Sequence, residues 1–325
     1  MKEIKWAVLG CGVIANEMAV ALQKNGKNIY AVGNRTHEKA AAFAEKYGIG
    51  KVYDDFHEMF TDPEIDVIYI TTPHNTHLGF MKEAIANGKH ILVEKSITLN
   101  SDELDEAIAL AKEKDVIIGE AMTIYHMPIY KELKKFLDSG HLGRVNLITM
   151  NFGSFKEYNM KNRFFNRNLA GGAMLDIGVY ALSFIRWFFD SKPDQLLSQV
   201  KPAPTGVDEQ AGLLLTNQEG QMASVMLSLH SKQPKRGMVS CENGVIEIME
   251  YPRAWEAKIT DASTGESEII KAGDNADALA YELADMERAI NGDASAMHLD
   301  YTKDVMDLMT SFRRTWGYTY PEEEK

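Results

Sequence analysis

The first third of the chain alternates short runs of aliphatic and β-branched residues with stretches whose apolar positions recur every three or four residues. "IKWAVL", "NIYAVG", "DVIYITT", "HILVE" and "VIIGEAM" are runs of the first kind. "VIANEMAVALQKN", "HEKAAAFAEKYG", "HLGFMKEAIANG" and "SDELDEAIALAKEKD" have helical spacing. Strands that are apolar throughout are buried on both faces, and helices lying between them supply the cover, so this segment predicts a doubly wound parallel sheet of the α/β class. After "YHMPIYKELKKFLDSGHLG", which reads as one amphipathic helix ending at a glycine, the rhythm changes. "RVNLITMNFG", "EQAGLLLTN", "QMASVMLSLH", "GVIEIME" and "AWEAKITD" are strand-like, which predicts an α+β half built on a mainly antiparallel sheet. "ADALAYELADMERAING" and "DYTKDVMDLMTSFRRTWG" are helical, and the acidic "PEEEK" after them is expected to be solvated. The change of rhythm divides the chain into domains 1–122 and 123–325.

Length and composition sharpen this picture. At 325 residues and 45% hydrophobic content, the chain can bury two cores of ordinary size. A net charge of −12 repels phosphate backbones and anionic membrane surfaces, so neither a nucleic acid nor a membrane is an expected partner. Cys11 and Cys241 are too few for a disulfide framework. "MKEIKWAVLG" leads straight into a strand with no leader-like pattern, and no run approaches the ~18 uninterrupted apolar residues of a membrane span. A cytoplasmic protein is expected.

The candidate chemistry begins at "AVLGCGVIANEMA", where Gly10, Gly12 and Ala15 form G-x-G-x-x-A between the first strand and the first helix. Gly10 permits the tight turn, Gly12 lets the backbone approach a pyrophosphate, and Ala15 keeps helix and strand close. The free amides of the helix start, at Val13 and Ile14, favour a bound anion. An NAD-selective site usually places an acid about twenty residues further on. "NIYAVGNRTHEKA" instead ends in Asn34 and Arg35, with Lys39 nearby. A guanidinium there can bind a 2′-phosphate and stack on adenine, so NADP is the expected cofactor, with NAD as the alternative. The plain reading of Arg35 is a surface residue at a helix start.

Ligands of open parallel sheets bind beyond the carboxyl ends of the strands. One strand delivers Thr72, Pro73, His74, Asn75 and His77 there, and the next delivers Glu94 and Lys95. These are expected around the cofactor, Glu94 in a structural capacity and His77 equally well as a helix-start residue. His74 and His77 lack the partners of a metal site, and no metal is expected. In "NLAGGAMLDIGVYALSFIRWFF", a helix after Gly171-Gly172 would put Asp176 and Tyr180 on one face of an otherwise apolar segment. They read either as a catalytic pair or as a capping acid and a satisfied core phenol.

The motifs "GCGVIA", "TTPHNTH", "VEKS" and "GGAMLDIGVY", in this order and over nearly the whole chain, resemble those of the glucose-fructose oxidoreductase, inositol dehydrogenase and rhizopine catabolism (Gfo/Idh/MocA) family. With tyrosine rather than histidine at 180, the likeness is to its dimeric dihydrodiol dehydrogenase, 1,5-anhydrofructose reductase and glucose-fructose oxidoreductase members. The resemblance implies a Rossmann domain, an open-faced sheet domain that often mediates oligomerisation (a homodimer or homotetramer), and NAD(P)-dependent oxidation or reduction of a sugar-like alcohol or carbonyl. Lys95 matches the lysine of the family's E-K-P motif, and Asp176 and Tyr180 match D-x-G-x-[HY]. Ser96 stands where the family usually has proline, a change expected to loosen the backbone after Lys95, and Tyr125 stands at the arginine of E-A-x-x-x-R.

Reduction of a carbonyl by hydride leaves developing negative charge on oxygen, which must be stabilised and then protonated. Lys95 is expected to supply the positive charge and Tyr180 the proton, the ammonium lowering the phenol from its reference pKa near ~10. Asp176 would accept a substrate hydroxyl or orient Lys95. Arg163, Arg167 and Lys235 are further candidates for contact with substrate. Two alternatives stand beside this reading. One is an NAD-dependent polyol or inositol dehydrogenase. The other is a non-catalytic NADP-binding regulator, against which the retention of Lys95, Asp176 and Tyr180 together counts.

Overall fold

The computed structural model describes residues 3–324 in two compact units. The first comprises the chain up to Ala121 together with Leu279–Leu299, and the second comprises Met122–Ala278 and the chain from Asp300 on.

The first unit is a six-stranded parallel sheet of β1 (Trp6–Leu9), β2 (Ile29–Gly33), β3 (Lys51–Tyr53), β4 (Val67–Ile70), β5 (His90–Glu94) and β6 (Ile118–Ala121). Its order, β3-β2-β1-β4-β5-β6, reverses direction between β1 and β4. That is the Rossmann arrangement, whose crevice lies at the reversal, outside the carboxyl ends of the strands. All residues of β1 and β4 are buried, as their uninterrupted apolar sequences require. The helix Ser101–Lys114 shows how local sequence sets an element. Asn100 accepts a hydrogen bond from the Glu103 amide at 2.9 Å, Asp102 and Glu103 occupy the first turn, and Lys112 and Lys114 the last.

The return of residues 279–299 to this unit is not evident from the rhythm of the sequence, which placed everything after 122 in one block. Its cause is specific packing: the Trp6 indole donates to Glu287 at 3.1 Å, Lys27 pairs with Glu287, and Met297 fills the space beside Gly119.

The second unit holds an eight-stranded sheet of β7 (Val145–Gly153), β8 (Gln195–Pro202), β9 (Asp208–Thr216), β10 (Met222–Ser228), β11 (Gln233–Cys241), β12 (Gly244–Met249), β13 (Glu256–Asp261) and β14 (Ser267–Lys271). The order is β14-β13-β12-β11-β7-β10-β9-β8, antiparallel except where β7 and β10 run parallel. One face, with Ile148, Met150, Leu213, Val225 and Val239, is buried. The helix Val179–Phe188 packs on this unit's sheet, and Arg167–Phe188, the one helical stretch among the described residues long and apolar enough to span a bilayer, has 83% of its apolar window buried in the core. The opposite face exposes Leu147, Leu197, Leu214, Met222, Met226 and Met249.

Two expectations need correction. "YHMPIYKELKKFLDSGHLG" is not one helix: Thr123–His126 stops before Pro128, which opens Pro128–Asp138 as its first residue, because proline forces the preceding residue out of the helical region. Nor is the C-terminal acidic run merely solvated. Pro321–Glu324 forms a short 3₁₀ turn in which Glu323 pairs with the buried Arg313 at 2.7 Å and Glu324 with Arg167.

Candidate active site

Gly10 has φ of +108°, and a Cβ there would lie 2.5 Å from Thr71 Oγ1, so the turn admits no side chain. Gly12 is different: its φ is −76° and no atom lies within 4 Å of the Cβ it lacks. It is an open position above the start of helix Val13–Lys24, which has no side-chain cap and no acid in its first turn. Val13 is 80% exposed and Ile14 half-buried. The cradle fits a pyrophosphate. Cys11 in the same turn is pushed up to about 11 by burial, with the Lys39 charge opposing, which favours the protonated thiol at neutral pH.

At the end of β2, Asn34 donates to the Thr36 carbonyl at 3.0 Å, and Arg35 is exposed with no ion-pair partner among the described residues. At the end of β4, Thr72 accepts a bond from Thr76 at 2.7 Å, Pro73 is exposed, and His74 and Asn75 lie on a 3₁₀ turn.

The strand-end lysine is held from behind. His74 Nε2 lies 3.1 Å from the Lys95 carbonyl oxygen, and the Ile97 amide donates to the buried Glu120 at 3.0 Å. His77 Nδ1 is 3.1 Å from the Ser96 carbonyl and 3.2 Å from that of Ile97, and its Nε2 is 2.9 Å from that of Thr72. His77 is fully buried, which lowers its pKa against the opposing backbone hydrogen bonds. It is the first residue of helix His77–Ala86, with both ring nitrogens turned to backbone carbonyls. Ser96 is likewise fully buried within this lattice, so the backbone after Lys95 is fixed rather than loosened. Glu94 accepts the Tyr69 hydroxyl.

In the second unit, Asp176 sits in a π-helical turn, Met174–Gly178, that feeds helix Val179–Phe188. Such turns displace side chains from regular helical positions and recur at functional sites. Arg163 Nη2 is 3.7 Å from Asp176 Oδ1, and the guanidinium lies 4.3 Å over the Phe164 ring, which Lys156 also approaches at 4.2 Å. In the helix itself only Tyr180 and Arg186 are not buried, and Arg186 pairs with Asp304 at 2.6 Å. The Tyr180 ring packs against Phe152, centroids 6.1 Å apart, and Lys235 lies 5.5 Å from the same Phe152 ring and 3.0 Å from Glu250. Tyr251, buried next to Phe152, has its pKa raised well above the ordinary phenol by burial and by the Tyr180 charge.

Of the other candidates, Arg167 donates to the Thr319 carbonyl at 2.8 Å and pairs with Glu324. Tyr125 is fully buried and stacks on Trp187, so it is a core residue. Lys156 and Phe164 went unrecognised because each sits in sequence with no distinguishing spacing. Among the described residues no cluster of His, Cys, Asp or Glu can hold a metal ion.

Residues 4–122 match the family model described as an oxidoreductase family with an NAD-binding Rossmann fold, and residues 130–247 match the GFO/IDH/MocA C-terminal domain. The chain belongs to the Gfo/Idh/MocA oxidoreductase family. Similar proteins within reach include the trans-1,2-dihydrobenzene-1,2-diol dehydrogenase of Xenopus tropicalis, 32% identical over 75% of this chain and 74% of that one. The mouse dehydrogenase of the same name is 25% identical over 99% of both chains. A 3-ketoreductase from Actinomadura kijaniata, solved with NADP and TDP-benzene, superposes with a TM-score of 0.85 at 19% identity, covering 96% of this chain and 98% of that one. A levoglucosan dehydrogenase solved with NADH and levoglucosan gives 0.85 at 17% identity, covering 98% and 99%. As a Gfo/Idh/MocA protein, the chain is an NAD(P)-binding oxidoreductase acting on CH–OH or carbonyl groups.

Proposed function

We propose that this protein reduces the carbonyl of a sugar-like or related cyclic substrate with NADPH as preferred donor, Lys95 stabilising charge and Tyr180 donating the proton. The observation that carries this reading is Tyr180 itself: a partly exposed phenol in a largely apolar, buried helix, four residues after an aspartate that pairs with Arg163. The names of the relatives, dehydrogenases of a diol and of levoglucosan and a 3-ketoreductase, support the substrate class. When bound, the nicotinamide supplies the hydride, which goes to the carbonyl carbon. Lys95 offers its ammonium to the oxygen as negative charge develops, and the Tyr180 hydroxyl gives that oxygen its proton, to be replaced from solvent. Asp176 accepts a neighbouring substrate hydroxyl. NADPH oxidation measured against a panel of sugars, ketoses, osones and diketones tests the reading, and no turnover with any of them would defeat the substrate class.

Cofactor preference rests on Arg35. Arg35→Ala is expected to weaken NADPH binding by roughly 10–100-fold, the worth of one charge-assisted hydrogen bond at about 1.5–3 kcal/mol, and to leave NADH binding nearly unchanged. Titration of both cofactors checks it, and equal affinities in wild type that Arg35→Ala does not alter would reject NADP.

The open face of the second sheet is proposed to pair with the same face of a second copy. Leu197 lies opposite Leu214, and Met222 lies opposite Leu147, so the exposed apolar side chains form one patch across β8, β9, β10 and β7. Sheets with such a face bury it against another sheet, and a patch that meets its own copy gives a twofold interface. Replacing Leu197 and Met226 together by glutamate is expected to yield monomers in light scattering; a wild type already monomeric at micromolar concentration would overturn the proposal.

A further inference from the structure

The turn that carries Asp176 is held from a direction its sequence does not disclose. Its Met174 amide donates to Asp208 Oδ2 at 2.5 Å, and Asp208 Oδ1 accepts the Tyr318 hydroxyl. The carboxylate lies so close to Gly172, whose φ is +129°, that a Cβ there would stand 2.2 Å from Oδ1. Two residues further along the C-terminal segment, the fully buried Tyr320 donates its hydroxyl to the Gly171 carbonyl at 2.7 Å. Tyr320 is anchored in turn: its amide donates to Glu323 at 2.7 Å, and Arg313, 4.7 Å over its ring, forks onto both oxygens of Glu323 at 2.7 and 2.8 Å. Both donors of this arrangement, the Met174 amide and Tyr318, converge on one acceptor, and three successive contacts fix Gly171, Gly172 and Met174 just before Asp176.

We propose that Asp208 and the segment Tyr318–Glu323 are positioning elements for the reaction, setting the entry to the π-helical turn and through it the placement of Asp176 and Tyr180. This rests on the reading of Tyr180 as proton donor. Burial lifts the Asp208 carboxyl to about 6, with the Tyr318 and Met174 hydrogen bonds and the Arg313 charge opposing, so at neutral pH it is the ionised acceptor that both donors need. The two donors reach different oxygens, and an asparagine would put an NH₂ group in the place of one of them, so one partner would meet a donor instead of an acceptor. A Cβ on Gly171 would meet the backbone of Arg163, Phe164 and Asn166, and one on Gly172 would meet the Asp208 carboxylate, so the entry to the turn admits no side chain.

The test compares Asp208→Asn, Tyr318→Phe and Tyr180→Phe, alone and combined, in the full-length enzyme with NADPH and an accepted carbonyl substrate. Asp208→Asn is expected to lower kcat by roughly 10–100-fold and Tyr318→Phe by roughly 3–10-fold, with NADPH affinity unchanged. In a Tyr180→Phe background, Asp208→Asn should cost clearly less than it does in wild type, because the part of its effect that passes through the Tyr180 hydroxyl is already removed. Tyr318→Phe keeps the carboxylate and the fold, and so tests the idea even if Asp208→Asn folds poorly. Unchanged kcat in both single variants, or losses that simply multiply with that of Tyr180→Phe, would overturn the inference. Full activity in Tyr180→Phe alone would instead overturn the role given to Tyr180.

Discussion

Tyr180→Phe is expected to bind NADPH as the wild type does and to reduce carbonyl substrate roughly 10²–10⁴-fold more slowly, the usual worth of general acid catalysis. The hydroxyl is what is removed; the ring still packs against Phe152. Lys95→Met should be at least as damaging, because in the proposed reaction the ammonium stabilises charge on the same oxygen that the phenol protonates. The two losses therefore overlap, and the double variant should be less impaired than their product. Single-turnover NADPH oxidation across pH for wild type, both single variants and the double variant measures this. A fully active Tyr180→Phe would make the tyrosine a core residue, and strictly multiplicative losses would show that the two groups act independently.

The glycine turn makes a sharper separation between folding and binding. Gly12→Val should fold with a stability change below about 1 kcal/mol, since the position has an ordinary φ and open space around it. The side chain would occupy the place left for a pyrophosphate and displace charge-assisted contacts of about 1.5–3 kcal/mol each, so affinity for either cofactor should fall roughly 10²-fold or more. Gly10→Ala should behave in the opposite way. At φ +108° and 2.5 Å from Thr71, it carries about 1–3 kcal/mol of conformational strain before any clash, and the thermal midpoint should drop. Calorimetry with cofactor titration distinguishes the two. Tight binding by Gly12→Val would remove the turn from the cofactor site.

What the sequence disclosed followed from how locally each feature is written. The buried parallel strands, the glycine turn and the apolar helix bearing Tyr180 are continuous stretches whose chemistry is complete within about ten residues. β3, β8, β11 and β14 were not legible, since β3 is three residues long, β8 and β14 lie at the edges, and β11 is interrupted by Pro234, Lys235 and Arg236. Lys95 could be picked out as a strand-end lysine, but the work of His77 could not. Its partners at Ser96 and Ile97 are about twenty residues away, and a histidine at a helix start looks the same whether it faces a ligand or a backbone carbonyl. Asp208 was hidden for the same reason at longer range, because Met174 and Tyr318 meet it from 34 residues before and 110 after.

The excursion of Leu279–Leu299 changes what counts as a separable piece of this protein. A fragment ending at Ala121 carries the whole parallel sheet but lacks Glu287, which receives the Trp6 indole and the Lys27 ammonium, and Met297, which covers Gly119. During synthesis the sheet strands emerge long before these partners, so the nucleotide-binding half waits for nearly the full chain before its packing is complete, and the early half is exposed to mispairing in the interval. Chimeras that exchange the substrate half between relatives therefore need to keep this segment with the first unit, since the joint at residue 122 alone divides the chain but not the fold.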